Sequence, residues 1–186
     1  MGSDLVIKDI TGHTFLPEEE LVFDTNIYMR LFGPYCYAKS GYSEYSDALK
    51  HIQKKEIRIL INTIIISEFI NSFSQEMWKK SPKGNQYSRF KDYRNSSDFR
   101  EVADEIGYWI EEFLDMVSCC EPEFDDRIAH EYMEKYLAGT LDFNDIVISD
   151  FCRSEDRILV THDFDFSNCD GITVLTAYKD LIKSRT

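Results

Sequence analysis

Short apolar runs alternate along this chain with longer amphipathic segments, and that alternation is what most limits its fold. The apolar runs lie at 21–23, 57–61, 117–120, 157–161 and 172–175. The segments between them repeat their apolar residues at helical spacing. Strands that alternate with helices form a parallel sheet covered by helices. The sequence therefore predicts an α/β domain with a mostly parallel sheet.

A single domain accounts for the whole chain, residues 1–186. Chains divide into several domains only beyond roughly 250 residues. Apolar residues make up 43% of the sequence and aromatic residues 14%, which excludes a disordered protein. The longest uncharged apolar stretch, 59–67, is much shorter than the ~20 residues needed to cross a membrane. With no signal-peptide pattern at the N-terminus and no metal-binding spacing among the cysteines, we expect a cytoplasmic protein.

The charge of the chain is strongly negative overall but locally positive. The net charge is −13, which by itself argues against non-specific binding to a polyanion. Residues 75–100, however, hold seven basic and three acidic side chains, so that this segment carries +4 and the rest of the chain −17. Pro82, Gly84 and several polar residues predict an irregular connection here. We therefore expect the basic residues to lie on a protruding arm.

Acidic residues follow or interrupt apolar segments at four places. Asp24 and Asp163 each end an apolar strand, Glu68 interrupts an otherwise apolar helix, and Asp145 begins another helix. In a parallel sheet, the carboxyl ends of the strands and the N-termini of the following helices share one edge, where ligands bind. We therefore expect the four carboxylates to converge at that edge.

Each of these acids also has an ordinary structural explanation. Asp24 can accept hydrogen bonds from turn amides, and Asp163 or its neighbour Asp165 can lie in a solvated turn. Either Asp145 or Asp142, three residues before it, can cap the helix. Glu68 has the weakest explanation of this kind, because no basic residue lies three or four positions away to pair with it. Convergence of all four by accident is the less favoured alternative.

Several carboxylates a few ångströms apart cannot all ionise unless a positive charge lies between them. A hard divalent cation supplies that charge, and oxygen ligands without paired His or Cys favour Mg²⁺ or Mn²⁺. Such ions in proteins support the hydrolysis of phosphate esters. The sequence therefore predicts a metal-dependent site for phosphate-ester hydrolysis. His162, beside Asp163, is expected to have a structural or solvent-facing role, with contact to a phosphate as the alternative.

Four segments resemble PIN-domain ribonucleases, the family that includes the toxins of VapC-type toxin–antitoxin pairs. They are LVFDTN at 21–26, SE at 67–68, NDIVI at 144–148 and LVTHDFDF at 159–166. The resemblance covers about residues 20–180 and implies a three-layer α/β/α fold with a five-stranded sheet. Relative to a typical toxin of this family, the extra length lies in an N-terminal extension, 1–18, and a basic helical or loop insertion at about 74–100.

Carried over residue by residue, the resemblance implies RNA cleavage at four catalytic and metal-binding acids, namely Asp24, Glu68, Asp145 and Asp163. Residues expected to orient the site are Asn26, Thr161, Asp142 and Asp165. The basic segment gives the candidate RNA-binding residues Lys79, Lys80, Lys83, Arg89, Lys91 and Arg94. An antitoxin partner and a homodimer are left open. So are two alternatives to a ribonuclease, a non-catalytic interaction module of the same fold and a nuclease that cleaves DNA with the same site.

Overall fold

A parallel sheet lies at the centre of the computed structural model, which describes residues 4–139 and 141–184. Its strands are β1 (Val6–Asp9), β2 (Glu20–Phe23), β3 (Arg58–Ile61), β4 (Ser118–Cys119), β5 (Ile158–Val160) and β6 (Thr173–Thr176). They are arranged in the order β1-β6-β5-β2-β3-β4, and every neighbouring pair is parallel. The predicted α/β class with a mostly parallel sheet is confirmed.

Helices connect the strands, as the alternation predicted. They are α1 (Thr25–Leu31), α2 (Tyr42–Lys54), α3 (Thr63–Lys80), α4 (Phe90–Arg94), α5 (Arg100–Leu114), α6 (Asp126–Leu137), α7 (Phe143–Arg153) and α8 (Lys179–Lys183). Helix α3 packs against α1 and α5, whereas α6 packs against α7. The central strands are buried between these layers: Leu21 and Val22 of β2, Leu60 of β3 and Leu159 of β5 are fully buried. Burial on both faces explains their continuous apolar runs.

Within the part of the chain that the structure describes, the sheet has six strands rather than the expected five. The additional strand, β1, lies within residues 1–18, which we expected to be an extension, and it pairs with β6 at the edge of the sheet. None of its four residues is buried. An edge strand that buries so little needs no apolar run, and its sequence, VIKD, therefore gave no sign of a strand.

Residues 74–100 do not form a protruding arm, and that expectation was wrong. Helix α3 continues through this region to Lys80, and the segment that follows packs back against α3. The Tyr93 side chain is fully buried, and the Trp78 indole N–H donates a hydrogen bond of 2.9 Å to the Tyr87 carbonyl oxygen. At Gly84 the chain passes so close to α3 that a Cβ atom would collide with the Met77 carbonyl oxygen. Aromatic residues between the basic ones anchor this segment.

Within residues 4–139 and 141–184, no helix is both long enough and apolar enough to cross a membrane.

Candidate active site

The register of the sheet brings the first of the predicted acids next to its partners. Phe23 of β2 pairs with Val160 of β5, so that the next residues, Asp24 and Thr161, lie side by side at the carboxyl edge. The Asp24 amide donates a hydrogen bond of 3.0 Å to the Val160 carbonyl oxygen. Asp24 also precedes α1 as its N-cap residue. A strand end and a helix start thus fix this carboxylate.

An open cleft of about 340 Å³ lies at this edge of the sheet. All four predicted acids line it: Asp24, Glu68, Asp145 and Asp163. Asn26, Asp142 and Asp165, which we expected to orient the site, line it as well. The structure therefore brings together residues that are far apart in the sequence, as the parallel topology requires.

Thr161 connects two of the acids. Its hydroxyl donates a hydrogen bond of 2.7 Å to Asp24 Oδ2 and accepts one of 3.1 Å from the Asp163 amide. The side-chain amide of Asn26 donates to Asp24 as well, and to Thr161 Oγ1 over 3.0 Å. Asn26 Oδ1 accepts a hydrogen bond of 2.9 Å from the His162 amide. Thr161 and Asn26 thus hold the end of β5 against the start of α1.

Glu68 is held by two neutral donors. The Thr25 hydroxyl donates to one of its oxygens over 2.8 Å, and the side-chain amide of Asn144 donates to the other. Neither donor carries a charge, so the carboxylate is oriented without being neutralised. Thr25 and Asn144 were not among the predicted site residues, although each is the direct neighbour of a predicted acid in the sequence.

Asp142 and Asp145, which the sequence could not distinguish as caps, have different roles at the start of α7. Asp142 is the N-cap, and its Oδ1 accepts a hydrogen bond of 2.9 Å from the Asp145 amide. The Asp145 side chain makes no hydrogen bond or ion pair with the described residues. Asp142 thus satisfies the helix end, which leaves the Asp145 carboxyl free at the cleft.

The acids raise one another's pKa values. Burial raises the pKa of Asp24 to about 7; the neighbouring Glu68 and Asp163 add to this, while the hydrogen bond from Thr161 opposes it. Burial also raises the pKa of Asp145 to about 8, with further contributions from Asp142, Asp24, Asp163 and Glu68. Burial is the larger cause of both shifts in pKa, and repulsion between the acids adds to it.

This donor set fits a hard divalent cation in its chemistry. Carboxylate oxygens predominate at the cleft, and the raised pKa values show that a positive charge there would relieve their repulsion. The side chains do not form a closed coordination shell, however. Among the residues that the structure describes, no three His, Cys, Asp or Glu side chains are grouped closely enough to hold an ion.

Two cations that the sequence did not single out, Arg30 and Lys39, also line the cleft. Arg30 donates hydrogen bonds to the carbonyl oxygens of Asn26, over 3.0 Å, and Ser40, over 3.1 Å. Lys39 pairs with Glu76 at 2.7 Å. The spacing from Asn26 to Arg30, one helical turn, could have indicated that Arg30 faces the site. Lys39 lies in a loop, where no such periodicity exists.

The six predicted RNA-binding residues divide into two groups. Lys80 pairs with Glu76 at 2.8 Å, Lys83 with Glu101 at 2.8 Å and Arg89 with Asp92 at 2.7 Å. The other three, Lys79, Lys91 and Arg94, are exposed and form no ion pair within the described part of the chain. Arg94 lies over the Phe90 ring, 5.9 Å from its centroid. Only half of the predicted positive surface is therefore free of an acidic partner.

Comparison with known proteins is consistent with this architecture. The sequence profile of the PIN domain matches residues 21–172. The crystal structure of VapBC2 from Rickettsia felis, bound to a DNA fragment from their promoter, is similar with 18% identity and a TM-score of 0.51, over 84% of this chain and 98% of that one. DNA-bound VapBC from Salmonella typhimurium is 15% identical with a TM-score of 0.50, over 85% of this chain and 98% of that one. No curated protein gives a significant match.

Proposed function

Because this chain belongs to the PIN domain family, we propose that it is a divalent-metal-dependent endoribonuclease that hydrolyses RNA phosphodiester bonds. The observation that carries the proposal is the cleft at the carboxyl edge of the sheet, where Asp24, Glu68, Asp145 and Asp163 meet. Acids that line one cavity favour a cation among them. The pKa values of Asp24 and Asp145, raised first by burial and then by repulsion from the neighbouring acids, support that interpretation.

The four acids are the proposed ligands of Mg²⁺ or Mn²⁺. When bound between carboxylates, such an ion lowers the pKa of water for attack on a phosphodiester and stabilises the leaving oxygen. The chain's own contribution is to hold the acids in place. Neutral donors do this at both Asp24 and Glu68, so among the described residues neither carboxylate is already paired with a cationic side chain.

The substrate is a polyanion in this proposal, and the cations near the cleft support that. Arg30 and Lys39 line the cleft, and Lys80 pairs with Glu76, which lines it as well. Lys79, Lys91 and Arg94 are exposed on the basic segment and add to its positive charge. These residues can neutralise phosphates, which the acidic remainder of the chain would repel.

The solved VapBC structures motivate the remaining parts of the proposal. We place the protein in the cytoplasm as the toxin of a toxin–antitoxin pair, with an antitoxin protein as its partner and a homodimer as its assembly. A reading frame for a small DNA-binding protein next to this gene would support the pair. Size-exclusion chromatography with light scattering determines whether the protein is a dimer.

The activity is tested with purified protein and single-stranded RNA in Mg²⁺ or Mn²⁺. Cleavage should occur with either ion and stop when EDTA is added. The Asp24→Asn variant, purified in parallel by the same procedure, should be inactive, which excludes a contaminating nuclease. Cleavage that survives EDTA or persists in the variant would contradict the proposed mechanism.

The same assay distinguishes the alternatives. If the protein cleaves single-stranded DNA and leaves RNA intact, it is a DNA nuclease that uses the same site. A protein that binds Mn²⁺ in calorimetry but cleaves neither polymer would be a non-catalytic module that keeps the acids for cation-dependent stability.

A further inference from the structure

A second groove, of about 520 Å³, lies directly beside the acidic cleft. The two cavities share the residues Asn26, Arg30 and Asp163. The groove continues past them to three aromatic side chains, His162, Phe164 and Tyr178. We call these three residues the aromatic platform. A strand of nucleic acid that occupied the cleft would pass over this platform if it left the cleft on that side.

The three rings are arranged against one another and remain accessible. His162 stacks on Tyr178 with ring centroids 4.8 Å apart and planes inclined by 15°. Phe164 meets Tyr178 edge to face at 6.4 Å and 75°. Phe164 is 43% exposed, and the other two rings are partly exposed. An aromatic cluster that stays open to solvent beside a charged cleft can stack a further flat ring.

The aromatic platform is rigidly connected to the candidate active site. The Tyr45 hydroxyl is 2.9 Å from His162 Nδ1, and it also bonds the Thr161 carbonyl oxygen at 3.1 Å. The His162 amide donates to Asn26, which itself donates to Asp24. Gly41 adopts a φ of +81°, and a Cβ atom there would lie 3.2 Å from the His162 ring. The loop before α2 thus closes against one edge of the imidazole.

The charged side chains that line the groove favour binding of an uncharged part of a ligand. Among the described residues, its lining contains one guanidinium, Arg30, and one carboxylate, Asp163, both at the end that it shares with the cleft. A second phosphate would meet the carboxylate there without a second cation. A nucleobase has no charge, and every base has a face that stacks on aromatic rings. Arg30, between the two cavities, is placed to contact the phosphate that joins them.

We propose that the groove binds one unpaired nucleobase of the substrate, the base of a nucleotide adjacent to the phosphodiester at the acidic cleft. This inference rests on the proposed nuclease function and adds a specificity element to it. A base inside a duplex is stacked on its neighbours and paired, so it cannot enter the groove without being flipped out. The groove therefore selects single-stranded regions of the substrate.

The test measures coupling between one ring of the protein and one base of the RNA. In the Asp24→Asn background, binding of a fluorescein-labelled single-stranded RNA in Mg²⁺ is followed by anisotropy. A set of RNAs carries one abasic site at successive positions around the bond that the wild-type protein cleaves. Tyr178→Leu removes the ring and keeps an apolar side chain. Tyr178→Phe keeps the ring, and Tyr136→Leu removes an exposed tyrosine from α6 as the control.

We expect one abasic position to weaken binding by about tenfold, as loss of a stacked base does. Tyr178→Leu should weaken binding of the intact RNA similarly, and the abasic site should then cause no further loss. Tyr178→Phe, which keeps the ring, should retain the coupling between this residue and the abasic position. Tyr136→Leu, outside the groove, should behave like the parent protein. Phe164→Ala removes a more exposed ring and should also weaken binding of the intact RNA. It keeps the inference testable if Tyr178→Leu does not fold. When Tyr178→Leu is made in the protein that retains Asp24, kcat/KM should fall for the intact RNA, and the abasic site should again cause no further loss.

Two results would overturn the inference while leaving the proposed function intact. One is normal cleavage with no effect of Tyr178→Leu and Phe164→Ala on binding or on kcat/KM. The other is a loss that is equal for intact and abasic RNA at every position, which would mean that the rings contact something other than a base. Failure of the wild-type protein to cleave any RNA would instead contradict the proposed function.

Discussion

The hydroxyl of Thr161 donates a hydrogen bond of 2.7 Å to the carboxylate of Asp24 across 137 positions of sequence. Thr161 is fully buried, and Asp24 nearly so. Since the same hydroxyl accepts the Asp163 amide, one small side chain sets the positions of two proposed metal ligands. This relationship exists only because β2 and β5 are neighbours in the sheet.

Replacing Thr161 by Val keeps the shape of the side chain but removes these two hydrogen bonds and the one that the hydroxyl accepts from Asn26. We expect a loss of about 1–3 kcal/mol in the free energy of unfolding, because a buried acceptor and a buried amide lose their partner. Affinity for Mn²⁺, measured by calorimetry, should fall by about 10–100-fold. Thr176→Val is the matched control, since Thr176 is equally buried at the end of β6 but bonds Tyr45 and the Tyr178 amide. It should lose stability without a comparable loss of Mn²⁺ affinity.

Neutralising Asp145 should stabilise the metal-free protein. Asp145→Asn removes an ionisable group whose charged form is disfavoured first by burial and then by repulsion from Asp142, Asp24, Asp163 and Glu68. The cap on α7 is retained by Asp142. For the wild type, Mn²⁺ at a hundredfold excess over Kd should add about 2.7 kcal/mol, or about 5–10 °C in Tm. Thermal melts with and without Mn²⁺ should show a higher metal-free Tm for the variant and a smaller metal-induced rise.

The control for Asp145→Asn is Asp150→Asn on the same helix. Asp150 accepts the Tyr132 hydroxyl at 3.0 Å and pairs with Arg153 at 3.0 Å, so its neutralisation should lower Tm and leave the Mn²⁺ shift unchanged. If Asp145→Asn instead behaved like this control, Asp145 would have a structural role and would not be a metal ligand.

The stability of the metal-free protein should fall as the pH rises from about 6.5 to 8. The pKa of Asp24 is raised from 3.8 to about 7 and that of Asp145 from 3.8 to about 8, so the folded state holds protons that the unfolded chain has already released. Stability decreases with pH wherever the folded state binds more protons. Burial lowers the pKa of His162 to about 4, so below about pH 6.5 the unfolded chain binds a proton that the folded state does not. This difference makes stability rise with pH in that range and partly offsets the trend.

Urea unfolding across this pH range, with a chelator present, measures that dependence. Saturating Mn²⁺ should reduce the decline, because a cation replaces the protons between the carboxylates. A free energy of unfolding that stayed constant or rose from pH 6.5 to 8 would mean that the acids do not repel one another as the structure indicates.

Charge reversal in the basic segment should weaken RNA binding most at residues without an acidic partner. Lys79→Glu, Lys91→Glu and Arg94→Glu should each raise the Kd for RNA and reduce the salt dependence of binding by about one counterion. Lys83→Glu should do less, because Lys83 already pairs with Glu101. Lys54→Glu, an exposed lysine on α2, is the control. Equal effects from all five variants would indicate a general charge effect and not a binding surface.

The sequence by itself determined the class of fold and the convergence of the four acids. The apolar runs that form β2, β3 and β5 are local patterns, and parallel strands must place their carboxyl ends at one edge. That geometry is sufficient to predict that Asp24 and Asp163 lie near one another, and the helix positions of Glu68 and Asp145 follow from the same topology. These predictions needed no knowledge of any individual contact.

The tertiary structure decided what depends on contacts between distant segments. Strand β1 forms because it pairs with β6. The basic segment folds back because Tyr93 is buried and the Trp78 indole bonds to the Tyr87 carbonyl oxygen. Asn144 donates a hydrogen bond to Glu68 across 76 positions of sequence. The tertiary structure also decided that Asp142, and not Asp145, caps α7, although either residue type is an acceptable cap. A sequence pattern reports which residues an element will bury or expose, whereas the partner of a polar side chain is set by the packing of whole elements.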